Sequence, residues 1–408
     1  MRVGSFIAKR LTGRKERDFS GIVIKLSFFA TAISVAIMIL TLAFVAGFQQ
    51  AISDKVFRFW GHIRVQQHPS YSAGLSDELP SVANDSVYQV LKASSGVVYA
   101  DAYITKAALL RSKANMEGLM LKGIGRNFSV ERMKPFMIKG NWLSKDSANP
   151  SVIISSYTAR VLELDTGQKV FIYFMDQTGG APRIRSVRVS GIYKTAIEEY
   201  DRSFAITDIR LVQKLQNWDT NSISGYEITL KDENNDKQIQ QDLLEKLPLD
   251  WYANSLREIY PNIFDWLQLQ NVNRTLIITI MCIVAIINLI SCLLILVLER
   301  RKMIGLLKSV GASDFQVQEI FWRQAAYIAF KGIVWGNIIG FALCFLQQTT
   351  GFISLDESAY YIKQAPVKII PLQILLVNMG TIFVCFIVLL IPSLLVKKIK
   401  PVQALRFD

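Results

Sequence analysis

Residues 26–48 read LSFFATAISVAIMILTLAFVAGF and contain no charged side chain over 23 positions. A helix needs about 20 apolar residues to cross the roughly 30 Å hydrocarbon core of a bilayer. Three further runs reach that length, at 275–298, 369–396 and, with the single charge of Lys331, 325–346. The sequence therefore predicts a membrane α-helical protein with four transmembrane helices and excludes a purely soluble enzyme.

The first run is too long for a signal peptide, whose apolar core spans 7–15 residues. We therefore predict that it stays in the membrane as an anchor.

The distribution of charge predicts the orientation of these helices. The chain has 46 Lys and Arg against 33 Asp and Glu, a net charge of +13. Residues 1–25 carry seven basic and two acidic side chains, whereas 49–268 carries 26 basic and 25 acidic ones. Positive charge in short loops marks the cytoplasmic side of a membrane. We therefore expect both termini in the cytoplasm and 49–268 outside, and the charge calls for no nucleic-acid partner.

These observations give a predicted organisation in nine segments. They are a cytoplasmic basic N-terminal segment at 1–25, transmembrane helix 1 at 26–48, a periplasmic α+β domain at 49–268 with an inserted subdomain at about 100–215, transmembrane helix 2 at 269–298, a cytoplasmic coupling helix and turn at 299–314, transmembrane helix 3 at 315–348, a periplasmic loop at 349–368, transmembrane helix 4 at 369–396, and a cytoplasmic tail at 397–408.

The large domain between helices 1 and 2 has the pattern of an α+β fold. Alternating or β-branched segments predict strands and amphipathic segments predict helices. The strands are expected at 62–67, 97–110, 152–155, 170–174, 184–192 and 226–230, and the helices at 86–93, 209–216 and 236–247. All four cysteines lie in the apolar runs, so this domain must be stable without disulfides.

The sequence contains no recognisable catalytic motif. It has neither the G-x-x-x-x-G-K-[ST] loop that holds ATP nor the G-x-S-x-G turn of serine hydrolases. His62 and His68 have no cysteine and no second metal-ligand motif nearby, so surface or interface histidines are the expected reading. We predict a chain that is not an enzyme, has no metal site and binds no cofactor of its own.

A short amphipathic segment follows helix 2. Met303, Ile304, Leu306, Leu307 and Val310 recur at helical spacing among basic residues. Gly311 is placed to end that helix, and Ser313 with Gln316 predicts a capping box that begins the next one. The apolar residues form a ridge that either a cytoplasmic partner grips or that rests on lipid headgroups.

Helix 3 carries three glycines at four-residue spacing, Gly332, Gly336 and Gly340. Such a stripe allows the backbones of two membrane helices to approach closely, which predicts a tight helix–helix contact. Lys331 is expected to reach towards the membrane surface or to face the helix bundle.

The chain resembles the LolC/LolE-type lipoprotein-releasing ABC transporter permeases, within the FtsX/MacB-like permease superfamily. The resemblance lies in the opening at 6–11 (FIAKRL), the helix end at 46–50 followed by Gly61 and His62, the segment 299–313 (ERRKMIGLLKSVGAS), the external stretches 191–195 (GIYKT) and 199–201 (EYD), and the tail 401–406 (PVQALR).

The resemblance implies a MacB-like mechanotransmission permease of the bacterial inner membrane. Two protomers, identical or sister permeases, pair with a cytoplasmic LolD-like ABC ATPase that holds ATP and Mg. The implied cargo is an acylated lipoprotein, which a LolA-like periplasmic chaperone receives. The implied ATPase-coupling residues are Glu299, Arg300, Lys302, Ile304, Gly305, Leu306, Leu307, Lys308, Gly311, Ala312 and Ser313.

One loop matches the position of a chaperone-binding loop in some family members. It covers residues 175–182 and includes Asp176, Gly179, Gly180 and Pro182. The loop is short and poor in proline, so an ordinary hairpin turn is the alternative reading.

Two other functions fit the same superfamily resemblance. One is a MacB-type or antimicrobial-peptide-type permease for export or resistance. The other is an FtsX-like regulator that activates a periplasmic hydrolase, although a 220-residue external domain is large for that role.

Overall fold

The computed structural model describes residues 19–67, 80–113, 115–125, 127–143, 150–174 and 182–388. The chain forms two compact units. We call the first the helical unit, which comprises Met1–Gln50, Leu267–Ser354 and Gln364–Asp408. We call the second the sheet unit, which comprises Ala51–Trp266 and Leu355–Lys363.

The secondary structure alternates between long apolar helices and a β-rich middle. The helices are α1 Phe19–Trp60, α2 Asp85–Ala93, α3 Val130–Met133, α4 Ser156–Val161, α5 Glu198–Ser203, α6 Ile209–Gln216, α7 Asp236–Lys246, α8 Leu256–Ile259, α9 Pro261–Glu299, α10 Arg301–Ser309, α11 Asp314–Thr350, α12 Glu357–Tyr360 and α13 Pro371–Val388. The strands are β1 Ile63–Gln66, β2 Ser81–Val82, β3 Val97–Arg111, β4 Met116–Ile124, β5 Met137–Gly140, β6 Ser151–Ser155, β7 Lys169–Phe174, β8 Arg183–Tyr193, β9 Phe204–Asp208, β10 Ser222–Ile223, β11 Gly225–Leu230 and β12 Tyr252–Ser255.

Three helices in the described part of the chain are long and apolar enough to span a membrane. They are Gly21–Trp60, Pro261–Glu299 and Asp314–Thr350, and Pro371–Ile387 is a shorter apolar helix. The predicted fourth span at 369–396 continues past residue 388, beyond the described residues. The protein is thus a multi-pass membrane protein, and the count of four spans stays a prediction.

Ten of the described strands form one mixed sheet in the sheet unit. Its order is β12-β1-β11-β3-β4-β9-β6-β8-β5, and β7 pairs with both β3 and β8. Most pairs are antiparallel, but β4 with β9 and β6 with β8 are parallel. This α+β fold agrees with the expected class. The sequence patterns gave no strand at β4 or β9, and β4 contains Gly118, Lys122 and Gly123, which are residue types depleted in strands.

The core of the sheet unit is made by helices that pack on this sheet. Val87 and Leu91 of α2, Val212 of α6 and Leu243 of α7 are all fully buried in one apolar cluster with the strands. Val87 and Leu91 are four residues apart, which places them on one face of α2. The predicted subdomain at about 100–215 stays a prediction.

Candidate functional site

A tight turn between two helices lies where the sequence predicts the coupling segment. Arg300 alone separates α9 from α10. At the other end of α10, Gly311 has a φ of +94°. Its N–H donates to the Lys308 carbonyl at 3.1 Å, and the Ala312 N–H donates to the Leu307 carbonyl at 2.9 Å. This pair of hydrogen bonds is a Schellman motif, which ends a helix sharply.

The next helix begins at once with the predicted capping box. The Gln316 N–H donates to Ser313 Oγ at 3.3 Å, and the Ser313 N–H donates to Gln316 Oε1 at 3.0 Å. Lys308 and Asp314 form an ion pair across the turn, with Nζ and Oδ1 2.8 Å apart. These contacts fix the geometry between α10 and α11.

The apolar residues of α10 do not form a single exposed ridge. Ile304 is fully buried in a cluster with Leu296 of α9 and Val317 of α11, and Met303 and Leu307 pack against the same cluster. The predicted exposed ridge therefore does not include Ile304, and the coupling role of that residue stays a prediction. One side of the short helix fastens it to the two long helices that flank it.

The other side of the turn leaves large apolar side chains exposed. Leu306 is 56% exposed, Val310 is 81% exposed, and Phe315 in the first turn of α11 is 66% exposed. We call these three the tip residues. Exposed apolar patches mark contacts with a protein or a membrane. Phe315 was missed by the sequence reading, although it lies two residues after the helix cap.

The remaining predicted coupling residues are divided between both sides of the turn. Those that are buried or half-buried are Arg300, Gly305, Lys308 and Ala312, and those that are exposed are Glu299, Lys302, Gly311 and Ser313.

The glycine stripe of α11 lies directly against α1. A Cβ atom built on Gly332 would be 2.8 Å from Thr31 Cβ, and one on Gly336 would be 2.7 Å from Val35 Cβ. A Cβ on Gly340 would be 3.2 Å from Ile39 Cβ. The first two distances are shorter than any side chain tolerates, so only glycine permits this approach of the two helices.

Side-chain amides connect the other helices of this unit. Asn288 Nδ2 of α9 donates to the Ser27 carbonyl of α1 at 3.0 Å. Asn337 of α11 and Asn378 of α13 exchange two hydrogen bonds, at 2.8 and 2.9 Å. Hydrogen bonds between side chains and a neighbouring helix are one of the forces that hold membrane helices together. The sequence reading passed over all three asparagines.

A second arrangement that the sequence reading missed lies in the sheet unit. Five charged side chains are buried together with at most 6% exposure: Arg64, Asp101, Lys122, Arg132 and Glu227. We call them the ionic cluster. Lys122 Nζ lies 2.7 Å from Glu227 Oε1, and Arg132 Nη1 lies 3.1 Å from Asp101 Oδ2. Arg132 Nη2 is also 3.7 Å from Glu227 Oε2.

The ionic cluster surrounds the C-terminal end of α1. Lys122 Nζ donates to the Phe59 carbonyl, and Arg132 Nη2 donates to the Phe57 carbonyl at 3.5 Å. The guanidinium of Arg64 lies over the Trp60 ring, 3.8 Å from its centroid. The last carbonyls of a helix lack partners within the helix, and cations stabilise them. The cluster therefore anchors the end of this long helix in the sheet.

Burial changes the proton affinity of several groups here. It raises the pKa of Asp101 to about 6 and lowers the pKa of Lys122 to about 7. It also lowers the pKa of His62 to about 4, with the charge of Arg132 adding to the effect. His62 accepts a hydrogen bond at Nδ1 from the Leu230 N–H at 3.2 Å and stacks on Phe57. His62 is thus a core residue of this unit, and the expectation of a surface or interface histidine is wrong for it.

The described residues contain no group of three or more His, Cys, Asp or Glu side chains that could hold a metal ion. His68 and the predicted chaperone-loop residues Asp176, Gly179 and Gly180 lie outside the described residues. Pro182, the last residue of that loop, is exposed just before β8.

Two protein families match this combination of a sheet unit between long apolar helices. The family described as MacB-like periplasmic core domain matches residues 26–246, which is more than half of the chain, and the family described as FtsX-like permease C-terminal matches residues 275–401. The chain belongs to the FtsX/MacB-like permeases.

Curated relatives cover almost the whole permease. The lipoprotein-releasing system transmembrane protein LolC of Xylella fastidiosa is 24% identical over 98% of this chain and 97% of its own length. The corresponding LolE protein of Haemophilus influenzae is 19% identical over 96% of both chains. The permease is thus of the LolC/LolE type. Among solved structures, the periplasmic region of MacB from Actinobacillus actinomycetemcomitans is 13% identical over 51% of this chain and 95% of that one, with a TM-score of 0.35.

Proposed function

We propose that this permease is the membrane subunit of an ABC transporter that releases acylated lipoproteins from the bacterial inner membrane to a periplasmic chaperone. The observation that carries the proposal is the similarity to both LolC and LolE proteins over nearly the full length of the chain. In this arrangement both termini lie in the cytoplasm and the sheet unit lies in the periplasm.

Release of a lipid-anchored protein requires work. Burial of an acyl chain in a membrane is worth about 0.8 kcal/mol per CH₂ group, so a lipoprotein with several chains does not leave by itself. The sequence has no phosphate-binding loop. The energy therefore comes from ATP and Mg bound to a separate, LolD-like ATPase on the cytoplasmic side.

The tip residues are the proposed contact with that ATPase. Leu306 and Val310 are one helical turn apart and face away from the cluster that buries Ile304. A partner that binds them displaces α10, and the buried contacts of Ile304 pass that displacement to both α9 and α11.

Helix α1 is the proposed element that carries motion onward. It lies against the glycines of α11, and it continues without a break from Phe19 to Trp60, where the ionic cluster holds its last carbonyls. A helix held at both places transmits displacement along its axis with little loss. The loop at 175–182 remains the proposed contact for the chaperone.

The proposal is tested by reconstitution. The permease and a LolD-like ATPase of the same organism are placed in liposomes with an acylated lipoprotein, and release is followed by sedimentation. Lipoprotein is expected to leave only when ATP and the chaperone are both present. Retention of the lipoprotein under those conditions would contradict the proposal and favour MacB-type export or FtsX-like activation of a hydrolase.

A pair of matched variants tests the role of the tip. Leu306→Asp places a charge on an exposed apolar position of α10, and Val98→Asp makes the same change at a position of β3 that is 49% exposed. We expect Leu306→Asp to abolish ATP-dependent release while the permease still inserts and folds. We expect Val98→Asp to retain release. Equal release by both variants would remove the tip from the mechanism.

A further inference from the structure

One charged side chain lies within the apolar part of α11. Residues 325–346 of this helix carry a single charge, that of Lys331. At 1.5 Å per residue, Lys331 lies about 9 Å from the Ala325 end of this run and about 22 Å from the Leu346 end. The membrane surface nearer to Lys331 is therefore the one at the start of α11, the end at which Phe315 lies.

The ammonium group of Lys331 is directed towards that surface. Its Nζ lies over the ring of Tyr327, 4.5 Å from the ring centroid and one helical turn closer to the start of α11. Tyr327 follows Ala325 by two residues, or about 3 Å of helix. Long basic side chains bend in this way so that their charge reaches the membrane surface. Of the two orientations that the sequence leaves open, the structure has this one.

The side of α11 that carries Lys331 is open to its surroundings. Lys331 is exposed, and Tyr327, Val334 and Trp335 are each at least 40% exposed. These three lie three or four residues from Lys331 and are therefore its neighbours on the helix surface. The glycines of the same helix pack against α1 instead. In a membrane helix, an open apolar side with one cation faces lipid or a second protein chain.

A second copy of the chain offers no counter-ion for this cation within the membrane. None of the four apolar runs contains Asp or Glu. The acidic residue of α11 that is nearest in the sequence, Glu319, is already engaged, because Arg323 Nε and Nη2 donate to its Oε1 at 3.1 and 2.6 Å. Within the described part of the chain, the ammonium group of Lys331 has no ion pair.

The bilayer itself supplies an anion at the required depth. The headgroup layer, which contains the lipid phosphates, extends roughly 5–7 Å outwards from the hydrocarbon core. The ammonium group lies at the level of Tyr327, close to the boundary between that layer and the core. A hydrogen bond from an ammonium group to an anionic oxygen is about 2.7–2.9 Å long. A phosphate group just outside the boundary is therefore within reach.

We propose that the ammonium group of Lys331 binds the phosphate of an anionic phospholipid in the leaflet at the start of α11, and that the Tyr327 ring positions the ammonium group. The acyl chains of this lipid then lie along Val334 and Trp335, which are deeper on the same side of the helix. The site does not depend on the proposed function, since it requires neither an ATPase nor a lipoprotein.

The experiment measures lipid contact at one tryptophan of the full-length permease. The protein is reconstituted in bilayers that contain equal amounts of phosphatidylglycerol, which is anionic, and phosphatidylcholine, which has no net charge. Brominated acyl chains, which quench nearby tryptophan fluorescence, are placed first on one lipid and then on the other. Each protein is compared with its Trp335→Phe counterpart, so the difference reports the lipid beside Trp335.

The wild type is expected to prefer phosphatidylglycerol at Trp335 by about fivefold, because of the attraction of one lysine near the surface for anionic lipid. Lys331→Gln is expected to abolish this preference, and Lys331→Arg to retain it, since arginine keeps the charge and the reach. Tyr327→Phe keeps the ring and is expected to retain the preference. Tyr327→Leu removes the ring and is expected to lower the preference by about twofold.

The matched control is Lys246→Gln, which removes the charge of an exposed lysine in the sheet unit. It is expected to leave the preference at Trp335 unchanged, and near-UV circular dichroism checks that every variant is folded. The lipid site is overturned if the wild type does not distinguish the two lipids, if Lys331→Gln keeps the preference, or if Lys331→Arg or the control loses it. Equal preferences of Tyr327→Leu and Tyr327→Phe would overturn the positioning role of the ring.

Discussion

Residues 31–39 of α1 lie against the glycines of α11, whereas residues 57–60 of the same helix are enclosed by the ionic cluster. The first contact contains no charge, and its closeness depends on the absence of three side chains. The second contact is built from five ionisable side chains in the core of a sheet. One helix thus makes two kinds of close contact, one of shape and one of charge.

The difference follows from the surroundings of each contact. Between membrane helices there is little hydrophobic driving force, because lipid tails are as apolar as the side chains, so close packing of small residues provides the attraction. In the sheet unit, apolar burial provides the stability, and buried charges are tolerated only when they are paired. The shape contact is therefore sensitive to added volume, and the charge contact to a lost charge at constant volume.

The largest effect is expected from Glu227→Gln, which keeps the shape of the side chain and removes its charge. Among the described residues, the ion pairs of Lys122 and Arg132 would then be reduced to the one between Arg132 and Asp101. Removal of one partner from a buried ion pair costs about 3–5 kcal/mol. Chemical denaturation of the full chain in detergent, followed by tryptophan fluorescence, measures this loss.

The control is the same change at Glu131, which is 78% exposed and pairs with Lys134. Exposed pairs are worth about 0–1 kcal/mol, so Glu131→Gln is expected to leave the unfolding curve almost unchanged. A small loss for Glu227→Gln would mean that the buried cations of the ionic cluster do not need the charge of the Glu227 carboxylate.

The next effect is expected from Gly336→Leu in the shape contact. Even a Cβ would lie 2.7 Å from the Ala32 carbonyl oxygen and from Val35 Cβ. Overpacking costs about 1–3 kcal/mol, and more where backbone must move. Gly380→Leu is the matched control, because a Cβ at Gly380 meets nothing within 4 Å. Equal melting temperatures for both variants, measured by near-UV circular dichroism, would argue against the close contact.

A smaller effect is expected from pH, and only in the charge contact. The pKa of Lys122 is about 7 in the folded state against 10.5 for a free lysine. Between these values the unfolded chain binds the extra proton, so stability rises with pH, by about 1.4 kcal/mol per pH unit at most. Lys122→Met is expected to abolish this rise, which denaturation at pH 7.5, 8.5 and 9.5 would measure.

Below pH 6.5 the titrations of Asp101 and His62 change the free energy of unfolding in opposite directions. The raised pKa of Asp101, about 6, makes the folded state bind the extra proton above pH 3.8, so stability falls as pH rises to 6. The lowered pKa of His62, about 4, makes stability rise up to pH 6.5. The stability of the wild type is therefore expected to fall less between pH 4 and 6 than that of His62→Gln, which loses the opposing contribution of the imidazole.

The smallest effect is expected for the amide pair of α11 and α13. Asn337→Leu or Asn378→Leu removes one partner, and hydrogen bonds between membrane helices average about 0.6 kcal/mol in double-mutant cycles. The double variant is expected to lose no more than either single one. Additive losses would mean that the two asparagines act independently despite their 2.8 Å contact.

The sequence anticipated the local features of both units because their causes are local. The capping box of Ser313, the left-handed Gly311 and the helix at 209–216 all follow from neighbouring residues. The ionic cluster could not be anticipated, because Asp101, Lys122 and Glu227 are far apart in the sequence and meet only through strand pairing. Lys122 also made β4 hard to recognise in the sequence. A lysine within a strand usually indicates that the side chain is exposed to solvent, whereas Lys122 is buried.

The spacing of apolar residues in α10 predicted the helix but not which of its side chains are buried. The spacing of Ile304 and Leu306 indicates a helix with apolar residues on more than one side, but it does not say which of them meets a neighbouring helix. That answer depends on α9 and α11, whose side chains close over Ile304 and leave Leu306 exposed.

The two-sided character of α10 has an evolutionary consequence. Ile304 packs against the two neighbouring helices, while Leu306, Val310 and Phe315 each leave more than half of the side chain exposed. If the tip residues contact an ATPase as proposed, substitutions at those three positions would alter which ATPase a permease recruits, and duplicated permeases in one cell would be able to diverge into separate pairs while their membrane helices stay the same.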